Sequence, residues 1–252
     1  LLLHKILFVH SQALVIIPTY NEIENIELII KTVFSLPEAF DILVVDDNSP
    51  DGTADIVKKM IPQYPDSLHL LLREQKEGLG KAYIAGFKWA LEQGYEYILE
   101  MDADFSHNPA DLVRLLATCR DEGYDLSIGS RYISGITVMN WPLSRVLLSY
   151  FASKYVNLIT GMPIKDSTAG FVCYRANFLS YINLDKISFV GYAFQIEMKY
   201  YAYKLGFKIK EIPIVFSERL RGQSKMNKKI VFEAMWGVLQ LRFHNTKKII
   251  KS

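Results

Sequence analysis

The sequence has few cysteines and little net charge. Its 252 residues include two cysteines, Cys119 and Cys173, and each lies in an apolar segment. Such isolated thiols predict buried, unpaired cysteines in a reducing compartment rather than a disulfide framework. The formal net charge of +2 argues against a general nucleic-acid-binding protein.

Long apolar runs are also missing. No stretch reaches the roughly 18 apolar residues that a membrane-spanning helix requires. Residues 1–9 are apolar but are interrupted by His4 and Lys5, and they lack the small-residue cleavage site of a signal peptide. We therefore treat residues 1–12 as a leader or remnant outside the fold. The expectation is a cytoplasmic protein that is soluble or peripheral to a membrane.

What the sequence does contain is an alternation of short apolar runs with segments of helical spacing. The length and the 50% apolar content suit one large α/β domain. The apolar pattern predicts strands at residues 13–17, 42–45, 68–72, 95–101 and 126–128, and helices at 23–33, 53–60 (with Thr53 as a cap), 81–92 and 109–120. Continuously apolar strands that alternate with helices indicate a mainly parallel sheet covered on both faces.

The second half of the sequence is less regular. It predicts helices at residues 145–159, 192–204 and 231–243, and strands at 171–174 and 208–216. Pro213 lies within the last of these strands and indicates a sheet edge. No repeat or linker is present, so a single domain is expected.

Two acidic turns follow predicted strands. Asp102 and Asp104 close the fourth strand, and carboxylates at this spacing can converge on Mg²⁺ or Mn²⁺ together with phosphate oxygens. Asp46 and Asp47 close the second strand, where an acidic residue can accept hydrogen bonds from a base or ribose. A receiver domain is a weaker alternative, because no lone Asp follows the third strand. In a parallel sheet both turns lie at the edge where ligands bind.

Two further segments concern phosphate groups. Residues 77–81 (EGLGK) lack the first glycine of a phosphate-binding loop at the required offset, and Ala82 rather than Ser or Thr follows Lys81. Near the C-terminus, basic side chains gather around Gly222 and Ser224, and they are Arg219, Arg221, Lys225, Lys228 and Lys229. This cluster is either a solvated basic loop or a flexible clamp that closes over a pyrophosphate.

Six motifs in order carry a family resemblance. They are PTYNE (18–22), DDNSPDGT (46–53), EGLGKAY (77–83), MDADFSHNP (101–109), GSRY (129–132) and DSTAGF (166–171), followed by GQSK (222–225). Together they resemble the dolichol-phosphate mannose synthases of the inverting GT-A glycosyltransferase family 2, over about residues 13–229. The resemblance implies a Rossmann-like GT-A fold, with residues 230–252 as a C-terminal amphipathic helix and basic tail.

The resemblance also implies a set of site residues. The donor nucleotide would be bound by Pro18, Tyr20, Glu22, Val45, Asp47, Asp102, Ala103, Asp104, Arg219 and Lys225. Asp102 and Asp104 would hold the metal, and Arg131, Arg145 and Ser149 would contact the acceptor phosphate. Asp104, Arg131 and Arg219 would be catalytic. Ser106 stands where some relatives have a glutamine, which leaves the preference between Mg²⁺ and Mn²⁺ open.

The implied reaction transfers mannose from GDP-mannose to dolichyl or polyprenyl phosphate and gives a β-linked product. A phosphate monoester has a second pKa of about 6, so it needs little help from a base. We therefore expect Asp166 to be structural or orienting. The acceptor lipid implies peripheral contact at the cytoplasmic face of a membrane, through the helices at 145–159 and 231–243, or a membrane-anchored partner subunit. The alternatives are a UDP-sugar-dependent polyprenyl-phosphate glycosyltransferase and a non-catalytic nucleotide-binding subunit.

Overall fold

The chain begins with strands and helices in strict alternation, as the apolar pattern predicts. A computed structural model describes residues 11–191, 193–218, 228–243 and 249–251. The elements of its first half are β1 (Ala13–Thr19), α1 (Ile26–Phe34), β2 (Asp41–Asp46), α2 (Thr53–Met60), β3 (Leu68–Leu72), α3 (Leu79–Gln93), β4 (Tyr97–Glu100), α4 (Asp111–Arg120) and β5 (Leu126–Ser130).

The second half adds shorter elements around two long helices. Its elements are β6 (Val138–Met139), α5 (Leu143–Thr160), β7 (Val172–Arg175), α6 (Ala176–Tyr181), α7 (Ala193–Lys204), β8 (Ile209–Pro213), β9 (Phe216–Ser217) and α8 (Lys228–Phe243). The sequence did not predict β6, β9 or α6. Elements this short contain too few residues to show a period.

Within the described residues, seven strands form the main sheet in the order β3-β2-β1-β4-β7-β5-β8. Neighbouring strands are parallel except at β7, which is antiparallel to both β4 and β5. The predicted mainly parallel α/β sheet is confirmed. β8 is an edge strand, as Pro213 indicates.

Successive side chains along the strands point alternately to the two faces of the sheet, and each face has its own apolar core. Leu14 and Ile16 of β1 pack with α3 and α7 on one face. Val15 and Ile17 pack with α1, α2 and α4 on the other. All four are completely buried, and burial of such a side chain contributes about 1.5–3 kcal/mol. Helices therefore cover both faces, and the strand ends carry the polar groups.

Several predicted boundaries were wrong. The helix α1 starts at Ile26 and α8 at Lys228, and three further differences have a clear structural cause. The fourth strand starts at Tyr97, because Gly94 ends α3 in a left-handed conformation (φ 83°) and Tyr95 packs beside that turn. The strand expected at 208–216 stops at Pro213, and the chain then pairs β9 with β6. Thr53 is the first residue of α2 rather than its cap. Its hydroxyl donates to Asp51 and accepts from the backbone N–H of Glu22.

Cys119 and Cys173, both within the described residues, are buried and unbridged, as the sequence predicts. None of the helices in the described part of the chain combines the length and the apolar character needed to cross a bilayer. Residues 1–10, which include most of the expected leader, lie outside the described residues.

Candidate active site

The acidic turn after β4 is tightly held. Asp104 is only 4% exposed, and its Oδ1 accepts hydrogen bonds from the backbone N–H (3.0 Å) and the hydroxyl of Ser106. Phe105 between them has φ 61°, a conformation that a bulky residue rarely adopts. Ser106 therefore orients the Asp104 carboxylate.

The turn offers a partial ligand set for a divalent cation. The described residues contain no cluster of three or more acidic, histidine or cysteine side chains that could hold a metal. Asp102 and Asp104 supply hard oxygen atoms, and Mg²⁺ or Mn²⁺ commonly binds to one or two carboxylates together with substrate phosphates. The residues present fit a metal that is shared with a bound diphosphate. Ala103 between them is buried in the apolar core.

His107 supports the same turn and was not singled out from the sequence. It is buried, its ring stacks on Phe171 with centroids 4.7 Å apart, and its Nδ1 lies 3.4 Å from the backbone nitrogen of Asp102. Burial lowers the pKa of His107 to about 4. The ring is therefore neutral at pH 7 and accepts the Asp102 N–H. In the sequence, the feature that could have identified His107 as a site residue is its position directly after DADFS (102–106).

Arg131, at the end of β5, is fixed by the loop before β7. Its Nε and Nη2 donate to the two oxygens of Asp166 at 2.7 and 2.6 Å, and Nη2 also donates to Thr168 at 2.8 Å. Burial acts to raise the pKa of Asp166, but the charge and hydrogen bonds of Arg131 outweigh it and hold that pKa below its usual range. Asp166 is thus a carboxylate that orients an arginine.

The loop itself is anchored from two sides. Glu211 of β8 accepts from the backbone N–H groups of Lys165 and Asp166 at 2.7 and 2.9 Å. Lys199 of α7 donates to the carbonyl of Ala169 at 2.6 Å. These contacts reach the loop from elements that follow it in the chain, so its position depends on the completed sheet.

Arg145 and Ser149 come from the first turns of α5. The Arg145 guanidinium lies 4.0 Å from the centroid of the Trp141 ring and forms an ion pair with Glu218 at 3.1 Å. Ser149 accepts a hydrogen bond from Tyr132 at 2.7 Å. Arg131 lies 5.6 Å from the same Trp141 ring. The structure therefore brings the two predicted acceptor arginines to one aromatic side chain, which the sequence analysis missed.

The predicted nucleotide residues gather at the carboxyl ends of β1 and β2. Asp47 is buried and pairs with Arg73 at 2.6 Å. Burial raises the pKa of Asp47 despite the opposing charge of Arg73. Lys76 lies 4.0 Å from the centre of the Tyr20 ring, and Glu22 accepts from Asn25 at 3.0 Å. Pro18 is half-buried.

Two other residues at these strand ends are internal. Val45 has no exposed surface and packs in the core. Asp46 is also completely buried, and it accepts hydrogen bonds from Thr19 at 2.6 Å and from the Ser49 backbone at 2.8 Å. Asp46 thus shapes the turn that carries Asp47.

A cavity joins the acidic turn to the arginines. Counting its open mouth, it contains about 740 Å³ of empty space. Its lining includes polar groups from both halves of the chain, among them Tyr83, Asp102, Ser106, His107, Arg131, Arg145, Thr168 and Gln195, with the rings of Trp141 and Phe216. Arg219 and Lys225 of the predicted clamp lie outside the described residues.

The seven-stranded, mainly parallel sheet with helices on both faces is a GT-A-like fold. The chain belongs to glycosyl transferase family 2, which matches residues 14–182. It is 47% identical over 230 residues to a polyprenol monophosphomannose synthase of Mycolicibacterium smegmatis, covering 91% of this chain and 86% of that one. It is also 47% identical over 232 residues to an undecaprenyl-phosphate mannosyltransferase of Micrococcus luteus, covering 90% and 94%.

Solved structures of low sequence identity share the fold. Glucosyl-3-phosphoglycerate synthase of Mycobacterium tuberculosis, in complex with Mn²⁺, UDP and glucosyl-3-phosphoglycerate, superposes with a TM-score of 0.65 at 15% identity, covering 92% of this chain and 78% of that one. A mannosyltransferase of Pyrobaculum calidifontis, in complex with GDP-mannose and Mn²⁺, gives 0.56 at 19%, covering 86% and 59%. The predicted family and GT-A fold are confirmed.

Proposed function

We propose that this chain transfers mannose from GDP-mannose to a polyprenyl or dolichyl phosphate, with inversion at the anomeric carbon. The observation that carries the proposal is the character of α5. Arg145 lines the cavity from this helix, while Leu147, Phe151 and Leu158 of the same helix are 43%, 61% and 80% exposed. One helix thus offers a cation for a phosphate and an apolar face for its lipid. The names of the two relatives at 47% identity support the same acceptor.

The donor half of the site follows from the strand ends. We assign the nucleotide to Pro18, Tyr20, Glu22, Asp47 and Ala103, and the diphosphate to the turn with Asp102 and Asp104, with Arg219 and Lys225 as further contacts. Val45 has no exposed surface and is left out of this assignment. A divalent cation at Asp102 and Asp104 supplies charge stabilisation for the departing nucleoside diphosphate. The Mn²⁺ in the solved neighbours supports a cation of this type.

The acceptor half orients a nucleophile that is already ionised. A phosphate monoester carries close to two negative charges at pH 7. Arg131 and Arg145 offset this charge, and Ser149 adds a hydroxyl. In-line attack then requires placement rather than proton removal. Asp166 holds Arg131 in position and is not a proton acceptor in this proposal.

The same helix supports contact with a bilayer surface. α5 packs beside α8, where Tyr155 donates to the Met235 carbonyl at 3.1 Å, and Trp236 and Phe243 of α8 are 66% and 83% exposed. Apolar side chains of this size can enter the headgroup boundary of a membrane. We propose peripheral binding at the cytoplasmic face, either directly or through a membrane-anchored partner subunit.

The test is transfer of labelled sugar to a short polyprenyl phosphate with Mg²⁺ or Mn²⁺ present. GDP-mannose, UDP-glucose and UDP-GlcNAc are compared as donors, and Asp104→Ala serves as the inactive control. We expect a β-configured mannosyl product from GDP-mannose alone, absent with Asp104→Ala. Transfer from a UDP-sugar only would show that the donor is not GDP-mannose and would leave the assignment of the acceptor unchanged. No transfer from any of them, even with membranes added, would favour a non-catalytic subunit.

A further inference from the structure

Tyr83 is held rigidly beneath the candidate site. It lies on α3, which approaches β1 closely because Gly86 has no side chain. A Cβ atom at that position would come within 2.9 Å of the Ile16 side chain. The Tyr83 ring packs against Phe87 and Phe194, with centroids 6.1 and 6.0 Å away, and the residue is completely buried. Its direction is therefore set by packing.

The Tyr83 hydroxyl has no hydrogen-bond partner among the described residues. An unsatisfied buried hydroxyl costs about 1–3 kcal/mol. Burial raises the pKa of Tyr83 well above its ordinary value, and the charges of Asp102, Glu100 and Asp104 raise it further. The group is thus a permanent hydrogen-bond donor beside the acidic turn, and it lacks an acceptor.

Tyr83 also lines the cavity that holds Asp102, Arg131 and Arg145. In the proposed reaction the leaving diphosphate lies near Asp102, and the attacking phosphate lies near the two arginines. The hexose must lie between them, since its anomeric carbon passes from one to the other. An oxygen-rich ring therefore occupies the space next to Tyr83.

We propose that the Tyr83 hydroxyl donates a hydrogen bond to a hydroxyl group of the transferred hexose, which makes Tyr83 a binding residue for the sugar of the donor. This assignment rests on the proposed function. Donor binding then satisfies a phenol that the described part of the chain leaves unpaired. Gln195 lines the same cavity, but its amide is already bonded to Glu100 at 2.8 Å and to Lys199 at 3.3 Å.

The test uses Tyr83→Phe, which removes one oxygen and keeps the ring packing. Affinities for GDP and for GDP-mannose are measured by calorimetry with Mn²⁺, beside transfer kinetics and melting temperature. We expect the affinity for GDP-mannose to fall about tenfold, the size of one hydrogen bond, and the affinity for GDP to stay unchanged. The melting temperature should stay the same or rise, because an unsatisfied group is lost.

Tyr95→Phe is the matched control. Tyr95 is also buried, but its hydroxyl donates to Asp41 at 2.8 Å. Asp41 is the first residue of β2, so this contact lies at the amino ends of the strands, away from the candidate site. This variant should lose stability and keep both affinities. The reverse pattern in Tyr83→Phe, a lower melting temperature with unchanged affinities, would assign a purely structural role and overturn the inference.

Deoxy analogues of GDP-mannose identify the bonded group. With one of the 2-, 3-, 4- or 6-deoxy donors, wild type and Tyr83→Phe should bind equally well. A difference that persists with all four would exclude a sugar hydroxyl and overturn the inference, while the transferase proposal stands. If wild type uses a UDP-sugar instead, UDP and UDP-glucose replace the two ligands. A wild-type protein that binds no nucleotide sugar would overturn both proposals.

Discussion

Arg131 and Asp166 form a two-point ion pair, with Nε 2.7 Å from Oδ2 and Nη2 2.6 Å from Oδ1. Asp166 is completely buried and Arg131 is 7% exposed. The pair lies at the wall of the cavity, so the carboxylate serves the arginine rather than a substrate. A group held ionised in this way is a weak base.

Asp166→Asn separates the orienting role from a catalytic one. Removing one charge of a buried pair leaves the other unpaired and costs about 3 kcal/mol in the free energy of unfolding, measured with urea. We expect turnover to fall by no more than about 100-fold and the pH profile to keep its shape. Since the pKa of Asp166 is lowered, the pair stabilises the protein above about pH 4 and the contribution fades only on further acidification.

A loss of several orders of magnitude in a folded Asp166→Asn protein would instead identify Asp166 as the base. Asp125→Asn is the control. Asp125 accepts hydrogen bonds from Asn177 and from the Lys208 backbone, both at 2.8 Å, at the opposite end of β5. That variant should change stability without changing the pH profile.

Arg145→Gln should weaken binding of the acceptor alone. A hydrogen bond to a charged group contributes about 1.5–3 kcal/mol, which corresponds to at least a tenfold rise in KM for polyprenyl phosphate. The KM for the nucleotide sugar should not change. Arg120→Gln is the control. Arg120 is the last residue of α4, pairs with Glu38 at 3.0 Å and does not line the cavity. Equal effects on both substrates would contradict the assignment of Arg145 to the acceptor phosphate.

Because Lys199 is buried, we expect the free energy of unfolding to change at alkaline pH. Burial lowers its pKa to about 8 although Glu100 and Asp166 oppose the shift, whereas a lysine in an unfolded chain titrates near 10.4. Between these values the unfolded chain holds more protons, so stability rises with pH by up to about 1.4 kcal/mol per unit. By urea unfolding at pH 7.5 and 9.5, the free energy of unfolding of wild type should rise relative to that of Lys199→Met, since the other titrating groups contribute to both proteins. The exposed Lys204, changed to Met, should behave as wild type.

Phe151→Glu tests the apolar face of α5. Phe151 is 61% exposed, and its insertion into a bilayer surface contributes about 1.5–3 kcal/mol, or at least tenfold in vesicle affinity. Co-sedimentation with phosphatidylglycerol vesicles containing polyprenyl phosphate should fall in this variant. Leu28→Glu, at a residue of α1 that is 58% exposed, should bind as wild type. Absence of binding by wild type under these conditions would refute direct peripheral contact.

The first half of the fold was predictable because its strands are continuous apolar runs and its helices are periodic. The parallel sheet and the position of Asp47, Asp102 and Asp104 at one edge followed from that pattern. The resemblance supplied the roles of the site residues, which stay proposals. The motifs GSRY and DSTAGF marked Arg131 and Asp166 without indicating that they touch.

The rest depended on contacts between distant parts of the chain. Arg131 and Asp166 are 35 residues apart and meet only because β7 lies beside β5 in the sheet. Trp141 has no periodic context, and its role became visible once both arginines lay against its ring. Tyr83 lies in the helix predicted at 81–92, but only the structure shows that its hydroxyl has no partner among the described residues.

The reversed direction of β7 determines how this architecture can diversify. Because β7 runs against its neighbours, the loop that precedes it opens at the edge where the parallel strands end. In the proposed function, the nucleotide half of the site comes mainly from loops that follow parallel strands, and the acceptor half comes from the segment that precedes β7. Apart from Arg219 and Lys225, the residues proposed for the donor precede residue 131, and those proposed for the acceptor lie within residues 131–170. Recombination that exchanges residues 131–170 can therefore supply a new acceptor to an unchanged donor-binding half.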